Sequence, residues 1–272
     1  MNYRHAFHAG NFADCHKHAV LTWLLRALQR KSAPLFVLDT HAGAGAYALD
    51  SGAAKRSEEW RAGIGRLLDD PPPALADYVG LVNRIGLYPG SPAIAKALCR
   101  PADRLVCCEL HPEEHAALRR RFARDRQVAV HHRDGWEALG ALLPPAERRG
   151  LVLIDPPYEQ PDEFARLATE LRVGHSRFRG GVFVAWYPIK HGTPVHAFQA
   201  AIKSRGIADI VVTELLLRAP LDPSRLNGSG LLVINPPYRF EEEVPPIVAA
   251  LLDRLGTREP GEAVIVKRLA DE

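Results

Sequence analysis

The sequence predicts an α/β fold: a doubly wound, mostly parallel sheet with a small helical insertion and an antiparallel strand pair near the C-terminal end. Three observations carry this. Short apolar runs recur along the chain with helical stretches between them, the alternation of a parallel sheet covered on both faces. The first run opens into a glycine-rich turn, "THAGAG" (40–45), as in folds that hold a nucleotide-like ligand at the strand ends. The last two runs are joined by "RAPLDPSRLNGS" (218–229), which has no helical period. A parallel crossover normally needs a dozen or more residues and a helix, so this pair reads as antiparallel.

Each element has its own justification. The first helix begins after Asn11 or Asp14 and places Val20, Leu21, Leu24, Leu25 and Leu28 on one face. "LFVLD" (35–39) is a short buried strand. Residues 50–88 read as an inserted helical subdomain, with Trp60, Ile64, Leu67 and Leu68 on one face before a break at "DDPPP". Ser91 is placed as an N-cap with Pro92 in the first helical position. "RLVCCE" (104–109) is the second strand; the helix after it has Pro112 at its start, acids in its first turn and arginines later, as the helix dipole favours. "QVAVHH" (127–132), "LVLID" (151–155) and "GVFVAWYP" (181–188) continue the series, and "DIVVTELLL" (209–217) and "GLLVINPP" (230–237) form the antiparallel pair. Residues 1–272 are read as a single domain.

The formal net charge is +3, too mild for a protein that coats nucleic acid, so such a partner must meet a local patch. The run "LRRRFARDR" (118–126) reads as a solvated helix face. No apolar run is long enough to span a bilayer, and the N-terminus lacks a secretory apolar core, so no membrane association is expected. The four cysteines show no metal or disulfide spacing, which points to reduced thiols and a cytoplasmic protein. His5, His8, Cys15, His16 and His18 fit none of the usual zinc ligand pairs, and no metal is expected.

The glycine turn, centred on Gly43, lets backbone approach a ligand closely. In a dinucleotide fold the ribose-gripping acid follows the glycines by about 20 residues. Here the matching acid is Glu109, at the end of the second strand and delayed by the insertion. No third spaced glycine or pyrophosphate signature accompanies it, which favours S-adenosylmethionine: that cofactor offers ribose hydroxyls but no phosphates. Asp134 and Gly135 follow the third strand, where an Asp accepts from an adenine amine and a glycine spares the ring.

Two stretches are near copies, "LVLIDPPYEQ" (151–160) and "LLVINPPYRF" (231–240). A strand ending in Asp-Pro-Pro-Tyr suits methylation of an exocyclic amine, whose lone pair is delocalised into the ring. Acceptors against its two N–H bonds favour rehybridisation and stabilise the developing positive charge. Asp155 and a carbonyl within Pro156-Pro157 supply them, the prolines adding no competing N–H, while Tyr158 stacks on the base. Position separates the copies. Asp155 ends a parallel strand beside the glycine strand, whereas Asn235 ends an antiparallel one and should lie at the opposite edge, with only 37 residues after it.

In order and nearly end to end, "YRHAFHAGNFADCHKH", "LDTHAGAG", "YPGSP", "ELHP", "DG", "RRGLVLIDPPYE" and "NPPY" resemble the bacterial 23S ribosomal RNA adenine-N6-methyltransferase J family. The resemblance implies a Rossmann-like class I S-adenosylmethionine-dependent methyltransferase acting on one adenine of 23S rRNA, before the ribosome is fully assembled. It implies a cofactor site of His18, His41, Ser91, Glu109, Asp134, Gly135 and Asp155, with Asp155 also the catalytic acceptor. Lys17, beside His18, is expected to meet the cofactor carboxylate together with free helix N–H groups. Tyr3 is expected against the substrate RNA, with Arg4 beside it, and the protein is expected to be a monomer. Two other readings stay open: the same chemistry on DNA adenine or a protein glutamine, and a non-catalytic RNA-binding module. The absence of a visible DNA-reading region counts against DNA, and the intact Asp155-Pro156-Pro157-Tyr158 counts against the last.

Overall fold

A computed structural model describes residues 7–49, 52 and 57–271. In chain order the strands are β1 (Phe36–Asp39), β2 (Ala46–Tyr47), β3 (Tyr88–Pro89), β4 (Arg104–Glu109), β5 (Val128–His132), β6 (Gly150–Ile154), β7 (Val182–Ile189), β8 (Ile210–Leu216), β9 (Gly228–Ile234) and β10 (Ala263–Ala270). Among the described residues the helices are α1 (Phe12–Gln29), α2 (Glu59–Ala62), α3 (Ala76–Ile85), α4 (Ser91–Leu98), α5 (Pro112–Arg121), α6 (Gly135–Ala141), α7 (Glu163–Arg177), α8 (Gly192–Lys203) and α9 (Phe240–Leu255).

Eight strands form one sheet in the order β10-β8-β9-β7-β6-β1-β4-β5. β1 lies between β4 and β6, parallel to both, with Leu38 opposite Val106 and Val152. β5 and β7 extend the parallel part. β9 runs antiparallel to β7 and β8, as the connection between the last two predicted strands requires. Alternate residues divide into two cores. Val37, Leu105, Leu151, Leu153 and Val184 pack with Val20 and Leu24 of α1; Phe36, Val106, Val152 and Phe183 pack with Leu139, Leu167 and Phe198. Both faces of β1 and β6 are therefore buried, which is why these strands read as unbroken apolar runs.

Four local features depart from the sequence reading. β10 was not foreseen: it is an edge strand pairing only with β8. Lys267 and Arg268 interrupt its apolar pattern, and such charges are usual on edges. The expected helical run from Trp60 to Leu68 is broken at Gly63, where α2 gives way to a 3₁₀ turn over Ile64–Arg66. A side chain at Gly63 would lie 2.0 Å from the Gly10 carbonyl oxygen, and the Ile64 N–H donates to that same oxygen (2.8 Å). The break thus docks this segment onto the chain entering α1. Ser91 is not a cap: Gly90 is the N-cap, and the Ser91 hydroxyl donates to Asp39 Oδ2 (2.6 Å). The first N–H groups of α1 are not free either, because Asn11 Oδ1 accepts from Ala13 and Asp14.

The two Pro-Pro-Tyr stretches end up at opposite edges of the sheet. Asn235 sits where β7 begins, donating from Nδ2 to the carbonyls of Arg179 and Gly181 (2.7 Å each) at a φ of +54°. Its Tyr238 is 84% exposed. Asn235→Ala is expected to cost about 1–3 kcal/mol, from two lost hydrogen bonds and a left-handed backbone that alanine tolerates less well. Turnover per folded molecule should not change; urea unfolding with rates normalised to folded protein checks this.

Candidate active site

At the C-terminal edge of the parallel strands lies a cavity of about 1130 Å³. Lys17, His18, His41, Gly43, Ser91, Glu109, Asp134, Gly135 and the turn Asp155–Tyr158 all line it. These residues come from six separate stretches of chain, and the fold brings them to one place. Tyr3 and Arg4 lie outside the described residues.

The turn after β1 and the carboxylate after β4 are tied together. Glu109 accepts from the Gly43 N–H on Oε2 (2.7 Å) and from the His111 N–H on Oε1 (2.6 Å). These bonds fix the carboxylate and leave it further acceptor sites. Gly43 has a φ of +59°, and a side chain there would lie 2.2 Å from the Tyr47 hydroxyl, which itself accepts from the Ala44 N–H. Asp134 caps α6 by accepting from Trp136 N–H (2.8 Å) and meets Arg166 (3.3 Å). At Gly135 a side chain would lie 2.1 Å from the Thr40 carbonyl oxygen. Glycine there lets α6 close onto the turn after β1, a demand of the protein's own backbone. His41 Nδ1 is 2.8 Å from Thr40 Oγ1, and burial lowers its pKa to about 4, so the ring is neutral. His18 is wholly buried, with Nδ1 2.9 Å from the Tyr88 hydroxyl.

Part of the lining is ionic. Lys17 Nζ donates to Asp14 Oδ1 (2.9 Å) and to Asp155 Oδ2 (2.6 Å), and Lys17 and Asp14 are almost fully buried. Burial opposes the ammonium charge, but the two carboxylates outweigh it and hold Lys17 above the usual lysine range. In this structure, then, Lys17 already serves two carboxylates of the chain. The Asp155–Tyr158 turn leaves β6, and Tyr158, at a φ of +51°, donates its hydroxyl to the Trp186 carbonyl (2.9 Å).

Three residues here escaped the sequence reading: Asp14, Asp39 and Trp186. Asp14 stands three residues before Lys17 on one helix, a spacing that puts both on one face. Asp39 ends the first strand immediately before the glycine turn. Burial, with the nearby Asp155 charge adding to it, pushes its carboxyl up to about 7 despite the Ser91 hydrogen bond. The folded state therefore holds this proton to about pH 7, whereas the unfolded chain releases it near 3.8. Between those values the native state binds more protons, so stability falls as pH rises through the window. Asp39→Asn should lack this share of the fall, which is on the order of 2–4 kcal/mol. Urea midpoints of both proteins at pH 5 and pH 8 measure it.

The strand order, the glycine turn after β1 and the cavity at the C-terminal edge of the parallel strands define a class I S-adenosylmethionine-dependent methyltransferase fold. A probable spermidine synthase from Corynebacterium glutamicum shares the fold at a TM-score of 0.50 and 15% identity, over 92% of this chain and 74% of that one. A crystal structure of a Legionella pneumophila protein matches far more closely, with a TM-score of 0.87 and 35% identity over 96% of this chain and 98% of that one.

The chain belongs to the family described as ribosomal RNA large subunit methyltransferase D, RlmJ, whose model matches residues 32–266. It is 38% identical over 273 residues to the ribosomal RNA large subunit methyltransferase J of Escherichia coli, covering 97% of this chain and 98% of the relative. The protein of the same name from Haemophilus influenzae is 39% identical over 264 residues, covering 94% of each.

Proposed function

We propose that this chain is a large-subunit rRNA methyltransferase that moves a methyl group from S-adenosylmethionine to the N6 amine of an adenine in 23S rRNA, acting on naked or incompletely assembled RNA. The observation that carries the reading is Asp155: its Oδ2 is held by Lys17 in the same cavity that contains Glu109 and the Gly43 turn.

The donor set fits the cofactor. Glu109 and Asp134 are acceptors suited to ribose hydroxyls and an adenine amine, and two carboxylates would repel a pyrophosphate. Gly43, His18, His41 and Ser91 line the same cavity. When bound, S-adenosylmethionine supplies a methyl group already activated on a sulfonium. The chain therefore needs little general-base strength. Its task is to orient the amine and balance charge. Lys17 occupies Asp155 Oδ2, and Oδ1 is left to accept one N6 N–H. A carbonyl within Pro156-Pro157 accepts the other. Positive charge that builds on N6 then lies against a carboxylate fixed in advance, which costs no reorganisation during the reaction, and the surplus N6 proton passes to water.

Labelled S-adenosylmethionine offered with naked 23S rRNA, duplex DNA and assembled ribosomes tests the reading. Label is expected on naked rRNA, with binding that weakens steeply as salt rises. Label only on DNA or protein would overturn it, and tight RNA binding without label would favour a non-catalytic module.

A further inference from the structure

Trp186 gives the cavity a wall that no step above uses. β6 pairs with β7 as far as Ile154 opposite Ala185; from Trp186 onward β7 pairs only with β9. The half-buried indole lines the cavity together with the Asp155–Tyr158 turn.

The indole is held at more than one point. Its Nε1–H donates to Ser229 Oγ (2.9 Å), and Ser229 Oγ is 3.0 Å from Nδ1 of His16 on α1. The far nitrogen of His16, Nε2, is 3.5 Å from Thr213 Oγ1. His16, Thr213 and Ser229 are all fully buried. Burial lowers the His16 pKa to about 3, so the ring is neutral. Ser229 Oγ accepts from the indole N–H and lies within hydrogen-bond distance of His16 Nδ1, so it links the indole to α1. On the other side, Tyr158 and Trp186 meet at 76° with ring centroids 5.6 Å apart. Lys17 Nζ is 5.9 Å from the indole centroid.

Burying three polar side chains costs stability unless each is satisfied, and apolar residues would fill the same space. What the chain from α1 through β9 to β7 achieves is a single orientation of one indole, steeply inclined to the motif tyrosine and next to Asp155.

We propose that the target base docks in the corner between Tyr158 and Trp186, flat on one ring and edge-on to the other, with Ser229 and His16 as positioning residues for the indole. This rests on the adenine-N6 reading. The corner fixes the base in two directions, so that its amine faces Asp155 Oδ1.

The test reads binding separately from chemistry. Protein loaded with unreactive S-adenosylhomocysteine is titrated with adenosine monophosphate while tryptophan fluorescence is followed. The chain has four tryptophans, and Trp186→Phe isolates the share of this one. Quenching is expected in the wild type and largely absent in Trp186→Phe. Trp186→Ala should raise KM for naked 23S rRNA about 5- to 100-fold with cofactor affinity unchanged, and Trp186→Phe should recover most of that loss. Ser229→Ala should weaken adenosine monophosphate binding several-fold, again without changing cofactor affinity. A folded Trp186→Ala protein with wild-type KM and kcat, or quenching of equal size in Trp186→Phe, would overturn the inference. Failure of the adenine-N6 reading shows elsewhere, as wild-type product that is not N6-methyladenosine.

Discussion

Asp155→Ala is expected to lose methyl transfer by at least about 10²–10³-fold, the scale seen when one preorganised partner of a developing charge is removed. Cofactor affinity should stay near wild type, because the residues proposed for ribose and adenine, Glu109 and Asp134, take their hydrogen bonds from Gly43, His111, Trp136 and Arg166 and none from Asp155. Asp155→Asn keeps an acceptor oxygen but removes the charge facing Lys17, so it should retain more activity than alanine and less than wild type. Single-turnover rates with saturating RNA, set beside cofactor titrations, separate the two effects. Equal loss of cofactor binding and chemistry would place Asp155 in the cofactor site alone.

Lys17→Met should be strongly destabilising. It leaves Asp14 and Asp155 without their shared cation at positions with side-chain exposures of 2% and 14%. Breaking a buried pair by removing one partner typically costs about 3–5 kcal/mol. The pH dependence has a definite sign. In the wild type Lys17 is held above its ordinary range, so its stabilisation is complete below the unfolded lysine value and is lost only as pH rises past the raised one. In Lys17→Met the abandoned carboxylates gain protons more readily folded than unfolded, so the variant should become more stable on acidification. Adding Asp14→Asn should recover part of the loss, as expected for contacting residues. Thermal melts of wild type, single and double variants between pH 5 and 9 measure all three statements.

The sheet was legible because its strands are buried on both faces and interrupted by helices. The antiparallel β8–β9 pair was legible from the turn-rich connection alone. That connection also separated Asp155 from Asn235, which share a motif and differ by the direction of the strand they end. Glu109 and Gly43 could be matched across the insertion because each closes an apolar run. The remaining contacts depend on pairings that no local pattern reports. Lys17 meets Asp155 across 138 positions, and His16 meets Ser229 across 213. Read along the chain, Lys17 is a free cation at a helix start; in the fold it is the centre of a buried ion triad. Trp186 looked like one more apolar residue in "VFVAWYP", since alternation assigns it a face but not its position beyond the end of β6. β10 was hidden by the charges that suit an edge, and α2 was cut short by contact with Gly10.

Adenine-N6 methylation at Asp155 is tested by nucleoside analysis of 23S rRNA methylated by the purified protein with labelled S-adenosylmethionine. Label is expected in N6-methyladenosine, present with wild type and with folded Asn235→Ala and lost with Asp155→Ala. Label on a ribose oxygen, on a ring carbon or on another base, or label that survives Asp155→Ala, would contradict it.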